Sequence, residues 1–496
     1  MLEQERLCRE IDRIINGPDY KTAVWGIMVV DLETGDTVYE LNPDKLFKPA
    51  STTKLYSVAA ALDVLGADYR FETPVYRQGE IDAAGVLHGD LILMASGDPT
   101  MGGRTNADGA IAFTDHDHTY GPPDAILTAP DPLAGLNELA RQAAANGIKR
   151  IEGEVRVDDR LFDKETGTGS GPSRLTPIIV NDNLIDLIIT PGAEGEFAAV
   201  TTRPETAAWL IDARIETVAQ GQKTTITLTS PLPGRLVAHG QIAVDSGPRV
   251  EIFEVEDAAA FARALFIEAL QRQGIRVNAS PLNGNDVTTL PAADACAALP
   301  RVALLTSPPF SEEARLILKV SHNLHAGVLP MLLAVRQGKR SLAEGLELQR
   351  AFLERLGVDT EAASFGSAAG GSDADWTTPR ATVQLLRAMA NHRDFAAYHA
   401  ALPTLGVDGT LAKAVDPDSP ARARVAAKTG TLVSKDTMND RYILTSKTLA
   451  GYLTSASQRR CAFAMLMNTT PIRELAEIKQ HGRTLGRLCE VLYLDV

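Results

Sequence analysis

The chain has 496 residues, 45% hydrophobic and 23% charged, the balance of an ordinary globular protein with length for about two to four domains. Its formal net charge of −14 argues against nucleic acid and against adsorption to anionic lipid. No run approaches the roughly 20 apolar residues of a membrane span, and four scattered cysteines (Cys8, Cys296, Cys461, Cys489) give neither a disulfide framework nor a zinc site.

The first residues, Met1-Leu2-Glu3-Gln4-Glu5-Arg6, are charged and helix-prone and lack the basic start and apolar core of a signal peptide. The expectation is a cytoplasmic protein or a sequence that begins after processing. Trp25 to Asp31 then reads as a strand, Glu33 to Asp36 as a tight turn and Thr37 to Leu41 as the returning strand. Pro49 precedes Ser51, and Leu55, Val58, Leu62 and Leu65 follow at helical spacing until Gly66. Ser51 therefore falls at a helix N-terminus, where unpaired N–H groups and the dipole favour developing negative charge.

From about Ala67 to Arg301 the chain becomes strand-rich. Phe71 to Arg77, Val86 to Met94, Ile151 to Asp158, Leu184 to Thr190 and Lys223 to Thr229 are expected strands. Leu136 to Asn146 and Ala258 to Gly274 are expected helices, and Pro99 to Pro130 a long loop. Within that loop Asp115-His116-Asp117-His118 has metal-ligand residue types but no partner motif, and reads as solvated. Further on, Val425 to Leu432 reads as a strand, and Leu449 to Thr454 with Cys461 to Met467 as a hairpin. A last helix is expected from about Ile472 to Tyr493. Both chain ends would then build one antiparallel sheet flanked by helices, with the middle as an insertion.

Three short motifs stand in order along this frame: Ser51-Thr52-Thr53-Lys54, Ser321-His322-Asn323 and Lys428-Thr429-Gly430-Thr431. Serine is a weak nucleophile until a base removes its proton, and Lys54 lies on the same helical face as Ser51. Its amine must be neutral to act, which burial beside a second cation, Lys428, would promote. Ser321 can relay the proton to a leaving amine, and Asn323 can offer its amide to a substrate backbone. The N–H groups of Ser51 and Thr431 could form an oxyanion hole, with Gly430 letting substrate approach the strand edge. Thr429 and Thr431 hydroxyls suit a terminal carboxylate. His322 and His325 near Ser51 could indicate a Ser–His hydrolase, but no G-x-S-x-G elbow surrounds Ser51 and a lysine holds the base position. His322 thus reads as a spacer, and the chemistry calls for no metal and no cofactor.

This ordered trio resembles the serine D-Ala-D-Ala carboxypeptidases of peptidase family S13, the class C low-molecular-mass penicillin-binding proteins. Ala95-Ser96-Gly97-Asp98-Pro99-Thr100, Asp158-Asp159, Phe162-Asp163, Val180-Asn181-Asp182-Asn183-Leu184, Leu402-Pro403 and Gly406-Val407-Asp408-Gly409-Thr410-Leu411 also look like the family's. The resemblance covers most of the chain. It implies an α+β fold: a β-lactamase/transpeptidase-like domain at residues 1–66 and 302–496, a second domain inserted at 67–176 and 242–301, and a third nested at 177–241. It implies Ser51 as nucleophile, Lys54 as base, Ser321, Asn323 and Lys428 as their partners, and Thr429, Gly430, Thr431 and Ser372 around the substrate. The implied substrates are peptidoglycan peptides, with β-lactams as inhibitors and a periplasmic or extracytoplasmic setting.

Three departures accompany the likeness. The run Gly370-Gly371-Ser372-Asp373-Ala374-Asp375-Trp376 puts Trp376 where the family commonly has arginine. Val433 to Lys447 looks longer and more polar than a tight turn, and the signal peptide is absent. The readings that compete with a DD-carboxypeptidase or DD-endopeptidase are a Ser–Lys esterase, amidase or D-aminopeptidase, and a non-catalytic wall-binding protein.

Overall fold

The computed structural model describes residues 2–121 and 125–496. They form two compact units, one running to Tyr69 and resuming at Gly167–Gly169 and Pro309–Val496, the other holding Arg70–Thr166 and Ser170–Pro308. In the first unit β1 (Val24–Asp31) and β2 (Thr37–Leu41) form the N-terminal hairpin. With β3 (Val425–Asp436), β4 (Arg441–Thr454) and β5 (Arg460–Ile472) they make an antiparallel sheet in the order β3-β4-β5-β1-β2. Every residue of β1 after Val24 is buried, the pattern of a strand covered on both faces.

The helices that frame this sheet are α1 (Leu2–Ile15), α2 (Lys54–Leu65), α3 (Phe310–Lys319), α4 (Asn323–Arg336), α5 (Pro379–Met389) and α6 (Ile478–Asp495). From α1 and α6, Leu7, Ile11, Leu485, Leu488 and Leu492 form one core with Ile27, Val29, Phe463 and Met465 of the sheet. Helix α5 packs on β1 and β5, while α2 meets α3 and α4. Nearly all of α2 is buried, because Val58-Ala59-Ala60-Ala61-Leu62 is apolar all round and small enough to let neighbours close in.

Several boundaries differ from expectation. Ile472 ends β5, and the last helix begins only at Ile478, after a 3₁₀ turn at Leu475–Glu477. The Glu477 carboxylate accepts the Arg473 and Glu474 N–H groups and so fixes that start. The polar stretch after the third motif is ladder, not loop: β3 and β4 stay paired out to Asp436 opposite Arg441. The units part at Tyr69 and Pro308 rather than at 66 and 301, since Arg301–Thr306 pairs with Glu72–Ile81.

The second unit contains a six-stranded sheet and two three-stranded sheets. The helices expected there are present as Ala134–Ala145 and Ala258–Arg272. Strands Ala199–Arg203, Leu210–Val218, Arg235–Ala243 and Arg249–Glu254 were not foreseen; their residues are half-exposed and often charged, which masks a period of two. Asp117 and His118 correct the reading of a solvated loop, for both are buried. (Pro122–Asp124 of that loop lie outside the described residues.) Arg104 donates to Asp117 at 2.7 and 3.0 Å and to Asp182 at 2.7 Å, while His118 joins Asp182 at 2.9 Å and Asp186 at 2.7 Å. Burial disfavours charge on His118, but the Asp186 and Asp182 carboxylates prevail and hold it up to about 9.

Candidate active site

Pro49 leads into a 3₁₀ turn, Ala50–Thr53, that continues as α2. Ala50 is held at a φ of 46°, costly for a residue with a side chain, and the sheet supplies the restraint. Thr448 Oγ1 donates to the Pro49 carbonyl at 2.9 Å, Ser446 Oγ to the Lys48 carbonyl at 2.7 Å, and the Lys48 N–H to Asn468 Oδ1 at 2.8 Å. Ser51, half-buried, is thus presented from clamped backbone.

One turn on, Lys54 is fully buried. Its ammonium donates to Ser51 Oγ at 2.9 Å, Asn323 Oδ1 at 2.6 Å and the Ala369 carbonyl at 2.8 Å. Burial lowers its pKa to about 7 against the pull of the Asp375 carboxylate. Burial, more than the repulsion from Lys428 expected from sequence, is therefore what prepares the base. Asp375 itself is enclosed and accepts from the Gly366, Ser367 and Ser372 N–H groups and the Ser367 hydroxyl. It ties down the loop whose Ala369 carbonyl meets Lys54, and burial pushes its carboxyl up.

The second motif forms the junction of α3 and α4. Ser321 is buried in left-handed backbone, φ 63°, and His322 caps α4 by accepting the His325 N–H at 3.3 Å. His322 is therefore a cap rather than a spacer; its ring stacks on His325 at 3.7 Å, and His325 bonds Glu313 at 2.8 Å. This turn sets Asn323 at the helix start, where its Oδ1 reaches Lys54.

On β3, Lys428 is fully buried and donates to the Thr429 carbonyl at 2.7 Å. Burial first, then the Lys54 and Lys447 ammoniums, push its pKa well below the usual lysine range. Gly430 has a sharper reason than access for substrate. A Cβ there would lie 2.2 Å from Thr448 Oγ1, 2.6 Å from the Pro49 carbonyl oxygen and 3.1 Å from the Ser51 nitrogen. Only glycine lets β3 pass the nucleophile's turn this closely.

Around these groups three lysines that no motif announced, Lys319, Lys447 and Lys48, hold residues the sequence had singled out. Thr429 Oγ1 donates to Thr410 Oγ1 at 2.8 Å, and Gly409, at φ 57°, packs against the Lys319 backbone. Lys319 donates to both oxygens of Asp408, at 2.8 and 2.7 Å, fixing that segment. Thr431 is exposed, and its hydroxyl accepts from Lys447 at 2.8 Å. Ser372, expected at the substrate, uses its hydroxyl to accept the Ala374 N–H at 3.2 Å within the loop. Trp376 donates Nε1–H to the Asp373 carbonyl at 2.9 Å, and Lys48 Nζ stands 4.4 Å from its ring centre.

The model of the D-Ala-D-Ala carboxypeptidase 3 (S13) family matches residues 7–486. The chain belongs to that family. Among its relatives is the D-alanyl-D-alanine carboxypeptidase of Actinomadura sp. (strain R39), 29% identical over 454 residues, covering 86% of this chain and 76% of that one. D-alanyl-D-alanine carboxypeptidase DacB of Haemophilus influenzae is 24% identical over 458 residues, covering 89% and 85%. The crystal structure of penicillin binding protein 4 (dacB) from Haemophilus influenzae superposes with a TM-score of 0.71 at 20% identity over 100% of both chains. Its complex with a β-lactam gives 0.68 over the same coverage and at the same 20% identity. The S13 chain thus has the expected α+β transpeptidase-like fold, with its inserted strand-rich unit.

Proposed function

We propose that this protein is a serine DD-peptidase that hydrolyses the D-Ala-D-Ala bond of peptidoglycan peptides through an acyl-enzyme on Ser51, and that β-lactams acylate the same oxygen. The carrying observation is the buried Lys54 amine, 2.9 Å from Ser51 Oγ, with its pKa lowered to about 7. Neutral Lys54 takes the Ser51 proton as Oγ attacks the carbonyl carbon of the penultimate D-alanine. The Ser51 and Thr431 N–H groups receive the oxyanion, a role favoured by the close passage of β3 at Gly430. Ser321 gives its hydroxyl proton to the departing nitrogen and takes the proton held by Lys54 in its place, so the C–N bond breaks and Lys54 is neutral again. Lys54 then takes a proton from the water that attacks the ester and returns it to Ser51 Oγ as the acyl group leaves. Asn323 orients Lys54, Lys428 lends positive field, and Thr429 and Thr431 meet the carboxylate. Ser372 shapes the opposite loop. Cleavage of a cross-link would use the same acyl half with a larger leaving group.

Peptidoglycan lies outside the cytoplasmic membrane, so this reading places the enzyme in the periplasm or another extracytoplasmic space. Among the described residues no helix is long and apolar enough to cross a membrane. Release of D-alanine from an acylated tripeptide ending in D-Ala-D-Ala tests the proposal. Turnover of simple esters without that release would favour the esterase or D-aminopeptidase reading that Trp376 leaves open.

Two further outcomes follow. The base acts only when neutral, so penicillin acylation should rise with pH through about 7 and fall about tenfold per unit below it. A flat profile of the second-order rate from pH 5 to 8 would contradict the role of Lys54. Gly430→Ala should slow acylation by about a hundredfold, because β3 must move away from the Ser51 turn by a sizeable fraction of an ångström. The same rate measurement, with a melting curve to show that the variant is folded, checks it.

A further inference from the structure

Beside the third motif lies a buried cation that the chemistry above does not use. Lys447 sits on β4 directly opposite Thr431, is nine-tenths buried and donates to Thr431 Oγ1 at 2.8 Å. Helix α6 passes beside it at ordinary van der Waals distance, for a Cβ at Gly482 would lie 3.6 Å from its Cε and 3.8 Å from its Nζ. Burial lowers its pKa, to about 8, and among the described residues no carboxylate forms an ion pair with it. An ammonium taken from water without a counter-ion is costly, and an arriving anion relieves that cost. Lys428 is less suited to meet the anion, being fully enclosed and turned onto the Thr429 carbonyl. Thr431, by contrast, is exposed and carries the Lys447 ammonium on its hydroxyl.

We infer that Lys447, acting with the Thr431 and Thr429 hydroxyls, binds the terminal carboxylate of the substrate and makes a free carboxylate on the leaving group a specificity requirement. Lys428 then acts at one remove, through its field. The inference rests on the DD-peptidase reading and adds the residue that selects the leaving group. Direct charge pairing with the substrate explains both the buried ammonium and its place on Thr431.

The test compares two peptides that both end in D-Ala-D-Ala, one with a free carboxylate and one with a C-terminal amide, on wild type, Lys447→Met and Lys447→Arg. For Lys447→Met, kcat/KM on the carboxylate peptide should fall about tenfold to a hundredfold, mainly through KM. On the amide peptide it should fall about threefold at most, and Lys447→Arg should keep most of the preference. An equal loss on both peptides, or none on either, overturns the inference. Wild-type acylation by benzylpenicillin is followed in parallel. No acylation and no turnover by wild type would overturn the DD-peptidase reading and the inference with it. An active wild type with an indifferent Lys447→Met overturns the inference alone.

Discussion

Ser51→Ala is expected to lower D-alanine release by at least about 10⁴-fold while the melting temperature stays within a few degrees of wild type. The large effect follows from chemistry: without Oγ there is no acyl-enzyme, and the remaining groups can only polarise the peptide bond. The small effect follows from packing. Ser51 Oγ accepts one hydrogen bond, from Lys54, and the turn is held instead by Thr448, Ser446 and Asn468. Lys54 keeps its bonds to Asn323 and Ala369, so the rest of the site remains in place. Residual turnover near the wild-type rate would assign the nucleophile elsewhere.

Lys54→Met is expected to slow acylation about 10³- to 10⁴-fold, the range of a positioned general base. Methionine matches the length of the stem but takes no proton. Stability should change little in sum. The Asn323 amide oxygen and Ala369 carbonyl lose a donor, at about 1–3 kcal/mol each, while removal of an enclosed cation offsets that loss. A loss confined to acylation, with Ser51 still present and the protein folded, separates a base from a scaffold residue. A rate within about tenfold of wild type would show that another group deprotonates Ser51.

Much of this site was legible because its signals are local. The apolar run of β1 with its tight turn into β2, the helical spacing after Ser51 and the three motifs each span a few residues. What escaped depends on pairings distant in sequence. Lys447 faces Thr431 only through the register of β3 with β4, which shifts at Leu432/Val433; a slip of one residue would turn it to the other face. Asp375 organises its loop through backbone N–H groups, which no side-chain motif records. The role of Gly430 was half seen: the need for a missing side chain was right, but the neighbour is the turn of Ser51 itself. His118 looked solvated because its partners Asp182 and Asp186 stand far along the chain.

Most direct for the central claim is the intact mass of wild type and Ser51→Ala after incubation with benzylpenicillin, followed by proteolytic mapping of any adduct. A single penicilloyl adduct on the wild-type peptide that contains Ser51, and none on Ser51→Ala, is the predicted result. No adduct on folded wild type, or an adduct that persists in Ser51→Ala, would contradict it.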